Sequence, residues 1–362
     1  MKPVVVLDAR ITRRCSVGMR HYIRELAARV PRVAPDLKVV VIANGSIETE
    51  AEVVGVGGGN FGITEELVVP LTARGLGASL MHHLSLYAPY EPGVPFLITI
   101  HDLIHLEFPE QFKPTIRAYY RLFTRRHAAR ARRGVTDDEA TVSGLGRYLG
   151  APRERVAVIP LGVDDAMLQL AERPQPDEAA RLRALGVGER SFLFYAGNHR
   201  KHKNLTTLFE AWRGLPCDLV ITGHDDFPGG LGQYAHEGNR VVAVGDVDRG
   251  LLAALYRRAG AYVHPALVEG FGLPMVEAMA FGTPVVAAER SIPEPLRAAA
   301  LAFPALDAAA LRRQAQRALS DEFLRIRLRQ SGMAIARGLT WERTAEATAA
   351  LYRTVLKELA RP

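Results

Sequence analysis

The first part of the chain alternates between short apolar runs and stretches with helical periodicity. Four runs are apolar almost throughout, as in strands buried on both faces of a parallel sheet: Val4–Leu7, Val39–Ile42, Ser79–His82 and Phe96–Ile100. Between them, apolar residues recur at helical spacing in Arg20–Val30, and helices are indicated at Thr64–Arg74 and Thr115–Arg132. A further strand is predicted at Val156–Ile159. This alternation predicts an α/β domain with a doubly wound parallel sheet.

A second α/β pattern follows a segment rich in proline and charged residues. Strands are predicted at Phe192–Ala196, Leu219–Thr222, Val241–Val244, Ala261–Val263 and Pro284–Ala287. Helices are predicted at Leu205–Arg213, Arg249–Ala259, Pro274–Ala280 and Ala308–Ala318, with a final amphipathic helix through Leu359. We therefore expect domains at 1–165 and 190–338, a linker at 166–189 and a C-terminal helix at 339–362 that could cross back to the first domain. In such folds, ligands bind beyond the carboxyl ends of the strands.

Composition and charge add the class of protein and the kind of partner. The chain has 362 residues, of which 48% are hydrophobic and 23% are charged, as in soluble globular proteins. No apolar run is long enough to span a bilayer, and the N-terminus lacks the features of a signal peptide. Cys15 and Cys217 have no disulfide or metal-type spacing, which favours the cytoplasm. The net charge of +7 indicates an anionic partner, but no motif of a nucleic-acid-binding protein is present, so nucleic acid is not expected.

The segment Glu269–Glu277 combines two carboxylates with two glycines and a proline at the start of a predicted helix. Glycine lets a backbone approach a ligand closely, and Pro274 suits the first turn of a helix. Free amide groups at this helix start could bind a diphosphate, helped by the helix dipole. Glu277 could accept hydrogen bonds from ribose hydroxyls, and Glu269 could do the same for a sugar. The residues expected to contact the donor here are Phe271, Gly272, Leu273 and Glu277.

This segment resembles the Glu-x7-Glu motif of the retaining GT-B glycosyltransferases, specifically the large family 4. Phe281–Val286 and Ile292–Glu294 are similar to the segments that follow the motif in that family. Val158–Asp164 resembles the family's interdomain entry, and Val142–Arg147 resembles its Val-Ser-x-x-Ser-Arg turn. The resemblance covers nearly the whole chain. It implies the GT-B fold, in which two Rossmann-like domains face a cleft.

The loop Gly197–Asn204 follows a predicted strand and contains five consecutive cationic or potentially cationic side chains. Such a cluster repels itself unless solvent or an anion compensates it, and a leaving nucleoside diphosphate is such an anion. Arginine binds phosphate oxygens in a bidentate manner, and lysine acts as a compact charge. The resemblance implies that Lys203 is the catalytic lysine and that Arg200 binds the donor. A solvated basic turn is the alternative.

His101-Asp102-Leu103 closes the predicted strand Phe96–Ile100 at a carboxyl edge of the sheet. It resembles the family's His-Asp segment, which implies that His101 reaches the donor sugar near the reaction centre. Asp102 is expected to orient the loop on the acceptor side. The alternative is a hydrogen-bonded structural histidine. The neighbouring histidines lack the spacing of a metal site, so no metal is expected.

The loop Arg10–Arg20 connects the first predicted strand to the first helix. Within it, Ser16–Tyr22 resembles the family's glycine-rich loop, which faces the acceptor and the diphosphate. The resemblance implies that Gly18 lies near the donor and that Arg20 lies on the acceptor side. An ordinary solvated connection is an equally good interpretation.

Three other patterns have competing interpretations. Gly57–Gly62 satisfies G-x-G-x-x-G, but no acidic residue follows at the required distance, so a flexible loop is favoured. Asp246-Val247-Asp248 is better explained as a helix N-cap than as a metal motif. Ile116–Arg133 carries seven arginines and no acid. It is either a solvated helix face, which we favour, or a patch that contacts anionic lipid at the inner face of the membrane.

Together these features predict a metal-independent, retaining hexosyltransferase, with Lys203, Glu269 and His101 as its catalytic residues. The expected donor is a GDP- or UDP-sugar, with mannose favoured, used as a co-substrate without a further cofactor. The expected acceptor is a saccharide or a polyprenyl-linked glycan, in surface-polysaccharide or lipopolysaccharide assembly. The alternatives are a GT-B-fold sugar-nucleotide epimerase and an inactive partner subunit that binds a nucleotide sugar.

Overall fold

The chain folds into two compact units. A computed structural model describes residues 1–13, 15–57, 64–236 and 238–361. Unit 1 comprises Met1–Gly162 together with the C-terminal residues from Trp341 onwards, and unit 2 comprises Val163–Thr340. Gly58–Gly62, which form most of the glycine-rich pattern in the sequence, lie outside the described residues.

Unit 1 is built on a parallel sheet. Its strands are β1 (Val4–Asp8), β2 (Lys38–Ala43), β3 (Glu52–Gly55), β4 (Leu80–His83), β5 (Phe96–Thr99), β6 (Arg133–Thr136) and β7 (Val156–Val158). The seven strands lie in the order β3-β2-β1-β4-β5-β6-β7, so the winding direction changes between β1 and β4. This is the predicted doubly wound arrangement. The apolar runs predicted as strands are confirmed, whereas β3 and β6 are not apparent from the sequence because exposed or polar residues interrupt their apolar pattern.

Helices flank this sheet. They are α1 (Val17–Val33), α2 (Val69–Gly75), α3 (Ile104–Glu107), α4 (Pro114–Tyr119), α5 (Arg125–Arg130) and α6 (Glu139–Gly144). A π-helical turn at Tyr120–Thr124 joins α4 to α5, so the predicted helix at 115–132 is one helical segment with a wider turn in its middle. The segment Val142–Arg147, expected as a turn, is helical instead. It spans the end of α6 and part of a π-helical turn at Leu145–Leu149. Asp138 caps α6, and its carboxylate accepts a hydrogen bond from the Ala140 amide at 3.1 Å.

Unit 2 is built on a second parallel sheet of six strands. The strands are β8 (Phe192–Tyr195), β9 (Asp218–Ile221), β10 (Val241–Ala243), β11 (Ala261–His264), β12 (Val285–Ala288) and β13 (Ala300–Phe303), in the order β10-β9-β8-β11-β12-β13. The helices are α7 (Asp165–Glu172), α8 (Glu178–Ala184), α9 (Leu205–Trp212), α10 (Arg249–Arg258), α11 (Leu273–Ala280), α12 (Ala308–Ser320) and α13 (Glu322–Gly338). Both units are thus Rossmann-like, as the sequence predicts.

The segment 166–189, expected as a linker, lies within unit 2 and contains α7 and α8. Arg257 of α10 holds both helices. Its guanidinium donates to the Ala171 carbonyl at 3.0 Å and to the Leu170 carbonyl, and it also contacts the Glu178 carboxylate at 3.1 Å. The charge-rich composition of this segment therefore marks two helices on the surface of unit 2 and not a linker.

The last helix, α14 (Trp341–Leu359), returns to unit 1 and packs against α1. Its buried side chains include Trp341 and Tyr352. The Tyr352 hydroxyl lies 2.6 Å from Nδ1 of His82 in β4, and the Thr344 hydroxyl donates to the Pro160 carbonyl at 2.8 Å. The C-terminal helix is therefore part of the core of the first unit. Throughout the described ranges, every helix is too short or too polar to cross a bilayer.

Candidate active site

Adjacent strands bring two of the predicted site segments of unit 2 together. β8 and β11 are neighbours in the sheet, so the turn after β8 and the turn after β11 meet at its carboxyl edge. The Leu267 amide donates to the His202 carbonyl at 2.8 Å, and the Asn204 side chain donates to the Pro265 carbonyl at 3.2 Å. Asn204 takes a left-handed conformation with φ of 55°, which asparagine tolerates better than most residues. These contacts fix the position of Lys203.

Lys203 and Glu269 form an ion pair at this edge. The Lys203 ammonium donates to the Glu269 carboxylate, and both side chains are largely buried. Nε2 of His264, the last residue of β11, lies 3.1 Å from the same carboxylate oxygen. Burial alone would raise the pKa of Glu269, but Lys203 and His264 outweigh it and hold that pKa well below its usual value. The site therefore contains a fixed carboxylate beside a lysine that an incoming phosphate could attract.

Glu277 lies in the second turn of α11 and is half-buried. The Tyr256 hydroxyl donates to its carboxylate at 2.9 Å. Burial raises the pKa of Glu277 to about 7, and the negative charge of Asp164 adds to this effect. Glu277 is therefore only partly ionised near neutral pH, and no cation among the described residues forms an ion pair with it. Its remaining oxygen can accept hydrogen bonds from ligand hydroxyls.

The start of α11 has the geometry that the glycine-rich segment predicts. Gly272 has φ of 70°, and a Cβ there would lie 2.3 Å from Cε of Met275. Pro274 stands in the first turn of the helix, as expected. Phe271 is buried, and Leu273 is half-buried at the first helical position. The backbone amides at this helix start are thus placed at the carboxyl edge of the sheet, next to Glu269.

The basic turn does not present its five cations to one place. His199 faces away from Lys203, with Nδ1 at 2.6 Å from the Asp226 carboxylate and Nε2 at 2.8 Å from the Thr222 carbonyl. His202 is buried. The Arg200 side chain is exposed and has no carboxylate partner among the described residues. The five side chains therefore do not form one cluster, and Lys203 and Arg200, which the resemblance indicates, stay the predicted contacts for an anion.

In unit 1, His101 follows β5 and pairs with a residue that the sequence did not indicate. Its Nδ1 donates to the Asp137 carboxylate at 2.7 Å, directly beyond the neighbouring strand β6. Asp102 accepts a hydrogen bond from the Ile104 amide at 3.0 Å, so it orders the loop, as expected. His101 and Asp137 thus form a carboxylate–imidazole pair at the carboxyl edge of the first sheet.

Gly18 and Arg20 lie in a helix rather than in a loop. α1 begins at Val17, and the Ser16 hydroxyl caps it by accepting from the Met19 amide at 3.4 Å. Gly18 is exposed in the first turn, where a Cβ would meet no atom within 4 Å. Arg20 donates from Nε to the Thr12 carbonyl at 2.8 Å, which holds the preceding turn against the helix.

The Asp246-Val247-Asp248 pattern is explained by the start of α10. Asp248 caps the helix by accepting from the Leu251 amide at 2.8 Å, and it also pairs with Arg181. This confirms the N-cap interpretation. Within the described part of the chain, no group of three or more His, Cys, Asp or Glu side chains is arranged to hold a metal ion.

Three residues at these sites were missed from the sequence: His264, Tyr256 and Asp137. His264 ends a strand that was predicted to stop one residue earlier, and Tyr256 lies inside a predicted helix. Asp137 begins a run of three acidic residues after β6. Acidic residues directly after a strand are a signal for a site, but this strand was not recognised.

Two Rossmann-like parallel sheets, each with polar side chains collected at its carboxyl edge, are the architecture of the GT-B fold. Solved structures agree with this fold. Sucrose-phosphate synthase from Thermosynechococcus elongatus matches with a TM-score of 0.74 at 22% identity, over 98% of this chain and 100% of that one. Anabaena HepE in complex with UDP-glucose matches with a TM-score of 0.72 at 17% identity, over 97% and 99%.

Sequence comparisons place the chain within this class. The model of Glycosyltransferase Family 4 matches residues 18–166, and the model of Glycosyl transferases group 1 matches residues 180–334. The chain belongs to the family 4 glycosyltransferases.

Curated relatives include two O-antigen enzymes. The O-antigen chain mannosyltransferase B of Escherichia coli is 26% identical over 70% of this chain and 69% of its own length. The O-antigen chain mannosyltransferase RfbU of Salmonella typhimurium is 23% identical over 53% of this chain and 51% of its own length. The chain thus spans about two thirds of the first relative and about half of the second.

Proposed function

We propose that the protein transfers a hexose from a nucleotide diphosphate sugar to a saccharide or polyprenyl-linked acceptor, with retention of anomeric configuration and without a metal. The observation that carries this proposal is the buried Lys203–Glu269 pair beside the start of α11. This pair places the Lys203 ammonium beside the first backbone amides of α11. A lysine side chain and the amides of a helix start are both suited to bind a diphosphate. In this proposal Glu277, one helical turn further, accepts hydrogen bonds from ribose hydroxyls.

In the proposed reaction, the bond between the sugar C1 and the leaving phosphate oxygen breaks while C1 bonds to the acceptor oxygen on the same face. The departing phosphate takes the proton of the acceptor hydroxyl, so no protein nucleophile is required. Lys203 and Arg200 offset the charge that grows on the phosphate. Glu269 then accepts hydrogen bonds from sugar hydroxyls when Lys203 turns to the phosphate.

Mannose is the favoured sugar because both enterobacterial relatives are named as mannosyltransferases of O-antigen chains. A uridine nucleotide is kept as the alternative because the Anabaena structure is of a complex with UDP-glucose. We therefore propose a GDP- or UDP-hexose as the donor and surface-polysaccharide assembly as the setting.

The decisive experiment is to offer GDP-mannose, UDP-glucose and other nucleotide sugars with lipid-linked and free saccharide acceptors. We expect nucleoside diphosphate release that depends on the acceptor, and NMR of the product should show the anomeric configuration of the donor. Inversion would exclude the retaining mechanism. An epimerised sugar nucleotide formed from donor alone would favour the epimerase, and donor binding without transfer across the panel would favour an inactive partner subunit.

We also propose that the arginine-rich helical segment of unit 1, formed by α4, the π-helical turn at Tyr120–Thr124 and α5, contacts an anionic membrane. Arg126 and Arg130 on this helix pair with Glu91. By contrast, three exposed arginines at four-residue spacing have no carboxylate partner in the described ranges: Arg117, Arg121 and Arg125. Like charges at this spacing destabilise a helix by about 0.2–0.5 kcal/mol per pair, so an anionic surface would relieve them.

The π-helical turn at Tyr120–Thr124 lies in the middle of this row. A wider turn offsets the angular drift of residues four apart, so that the three arginines stay on one face. Leu122 beside them is 65% exposed and offers an apolar contact. This combination fits a peripheral surface contact.

Co-sedimentation with vesicles tests this contact. The full-length protein should bind vesicles that contain phosphatidylglycerol and not vesicles of phosphatidylcholine, and replacing the three unpaired arginines with glutamine should abolish binding. A matched control replaces the exposed Arg313, Arg317 and Arg337 of unit 2, with the same change in net charge. Equal loss of binding in both variants would indicate a non-specific charge effect and contradict the proposal.

A further inference from the structure

The pair formed by His101 and Asp137 has two buried atoms without a partner. The two side chains are 12% and 3% exposed, and their hydrogen bond uses Nδ1 of the imidazole and Oδ2 of the carboxylate. Nε2 of His101 and Oδ1 of Asp137 are buried, and neither has a hydrogen-bond partner in the described structure. Buried polar atoms are nearly always paired, so an orphan nitrogen at a strand end indicates a ligand contact.

The imidazole is held in place from a second side. The Tyr22 ring meets it edge to face, with ring centroids 4.6 Å apart. Tyr22 is itself tied to the sheet, because its hydroxyl lies 2.9 Å from the Thr99 hydroxyl. The ring of His101 therefore has little freedom to turn, and Nδ1 is committed to Asp137. This leaves Nε2 as the atom that can meet a substrate.

The charged and titratable groups around His101 favour its protonated form. Burial lowers the pKa of His101, but the negative charges of Asp137 and Asp102 outweigh it, so the pKa is raised. His82, on the neighbouring strand, is neutral because burial lowers its pKa to about 3. Tyr22 is neutral because burial raises its pKa. Asp138 caps α6 by accepting from the Ala140 amide.

Building on the proposed function, we propose that Asp137 is a positioning residue for sugar transfer. It holds the proton of His101 on Nδ1 and, by its charge, keeps a second proton on Nε2. His101 then donates from Nε2 to a hydroxyl oxygen of the transferred sugar.

The pairing suits a transition state in which the sugar becomes positive. Glycosyl transfer passes through an oxocarbenium-like state, in which an isolated cation beside the sugar would be unfavourable. An imidazolium paired with a carboxylate has no net charge. It can therefore supply a strong donor hydrogen bond without adding positive charge near C1.

NMR of the full-length protein tests the pairing without relying on activity. Asp137→Asn keeps an oxygen that can accept from Nδ1 but removes the charge. The Cε1–H signal of His101, identified from its loss in His101→Gln, should titrate about one pH unit or more lower in Asp137→Asn, the usual effect of removing an adjacent opposite charge. The matched control is Asp138→Asn, which removes the neighbouring charge and retains a good helix cap. An equal shift in both variants, or none in either, would overturn the inference.

Kinetics test whether the pair acts in transfer. In Asp137→Asn the descending limb of kcat against pH should move to lower pH, so that kcat falls about tenfold at alkaline pH and KM for the donor changes little. In a His101→Gln background, Asp137→Asn should have no further effect, because Asp137 acts through His101. This double variant also separates positioning from a general loss of folding, which would lower kcat in both backgrounds.

The outcomes distinguish this inference from the function on which it rests. If Asp137→Asn turns over and the descending limb of its kcat–pH profile is unshifted, the role of Asp137 is overturned and the proposed transferase function still stands. Failure of the wild-type protein to turn over any donor would overturn the proposed function, and the role of Asp137 with it.

Discussion

Replacing Glu277 with glutamine should stabilise the ligand-free protein at alkaline pH and weaken its binding of nucleotide. Glutamine has nearly the same shape and can still accept the hydrogen bond from the Tyr256 hydroxyl. The change therefore removes the charge and leaves the packing of α11 in place. Because the charge is unfavourable without a ligand and useful with one, the two effects should have opposite signs.

The size of the effect on stability follows from the pKa of Glu277, which is raised from 4.5 to about 7, chiefly by burial. Between these values the folded state binds the proton more tightly than the unfolded state, so the free energy of unfolding falls as the pH rises through this window. The pKa difference corresponds to about 3 kcal/mol at full burial. Partial solvent exposure of the side chain reduces this to about 1–2 kcal/mol.

Urea denaturation without nucleotide measures this difference. At about pH 8 the midpoint for Glu277→Gln should lie above that of the wild type. The gap should narrow as the pH falls through this window and close below about pH 4, where Glu277 is protonated in both the folded and the unfolded state. Calorimetric titration with GDP or UDP should show the complementary behaviour. Wild-type affinity should rise about tenfold between about pH 6 and pH 8 as Glu277 ionises, beyond any rise seen in the variant.

Ionisation of the nucleotide phosphate affects both proteins alike, so the variant serves as the control. A variant less stable than the wild type at about pH 8, or one with the same pH dependence of affinity, would refute this account of Glu277.

Three other predictions concern the same edge of unit 2. Lys203→Met should lower kcat about a hundredfold or more, with a smaller effect on KM for the donor. The control Lys201→Met, at an exposed residue of the same turn, should change kcat by less than about twofold. Equal losses of kcat in steady-state assays would contradict the proposed contact between Lys203 and the phosphate. Gly272→Ala should lower the free energy of unfolding by about 1–2 kcal/mol, since φ is 70°; an unchanged urea midpoint would show that the turn relaxes. Exhaustive chelation should leave turnover unchanged, and a loss restored by Mg²⁺ or Mn²⁺ would establish a metal requirement.

The main strands of both sheets could be predicted because each is an uninterrupted apolar run buried on both faces. β13 and α13 were missed for opposite reasons. The first alternates between buried and exposed residues over four positions, and the second carries so many arginines that its apolar stripe is narrow. The segment 166–189 was predicted as a linker because it is rich in proline, but its prolines precede α8 and do not interrupt the helix. Local composition does not show which charged stretch packs against a neighbour.

The proposed donor site could be predicted from the sequence because its residues are local, from Glu269 to Glu277. The contacts that set the charge and position of the site residues could not be predicted in this way. The pairing of Lys203 with Glu269 requires β8 and β11 to be neighbours, and strand order is a property of the whole sheet. The same holds for His101 and Asp137. A run of cations predicts an anion site at this turn, but the backbone of the turn decides which of these cations are free to face an anion.

The return of α14 to the first unit has a consequence for the order in which the protein folds during synthesis. Residues 163–340 are translated before the helix that completes unit 1. At the usual rate of synthesis, the first unit waits on the order of 10–40 s without α14 covering α1. During this interval the side chains beneath Trp341 and Tyr352 remain exposed to solvent. We therefore expect chaperones that bind exposed apolar surface to bind the nascent N-terminal unit.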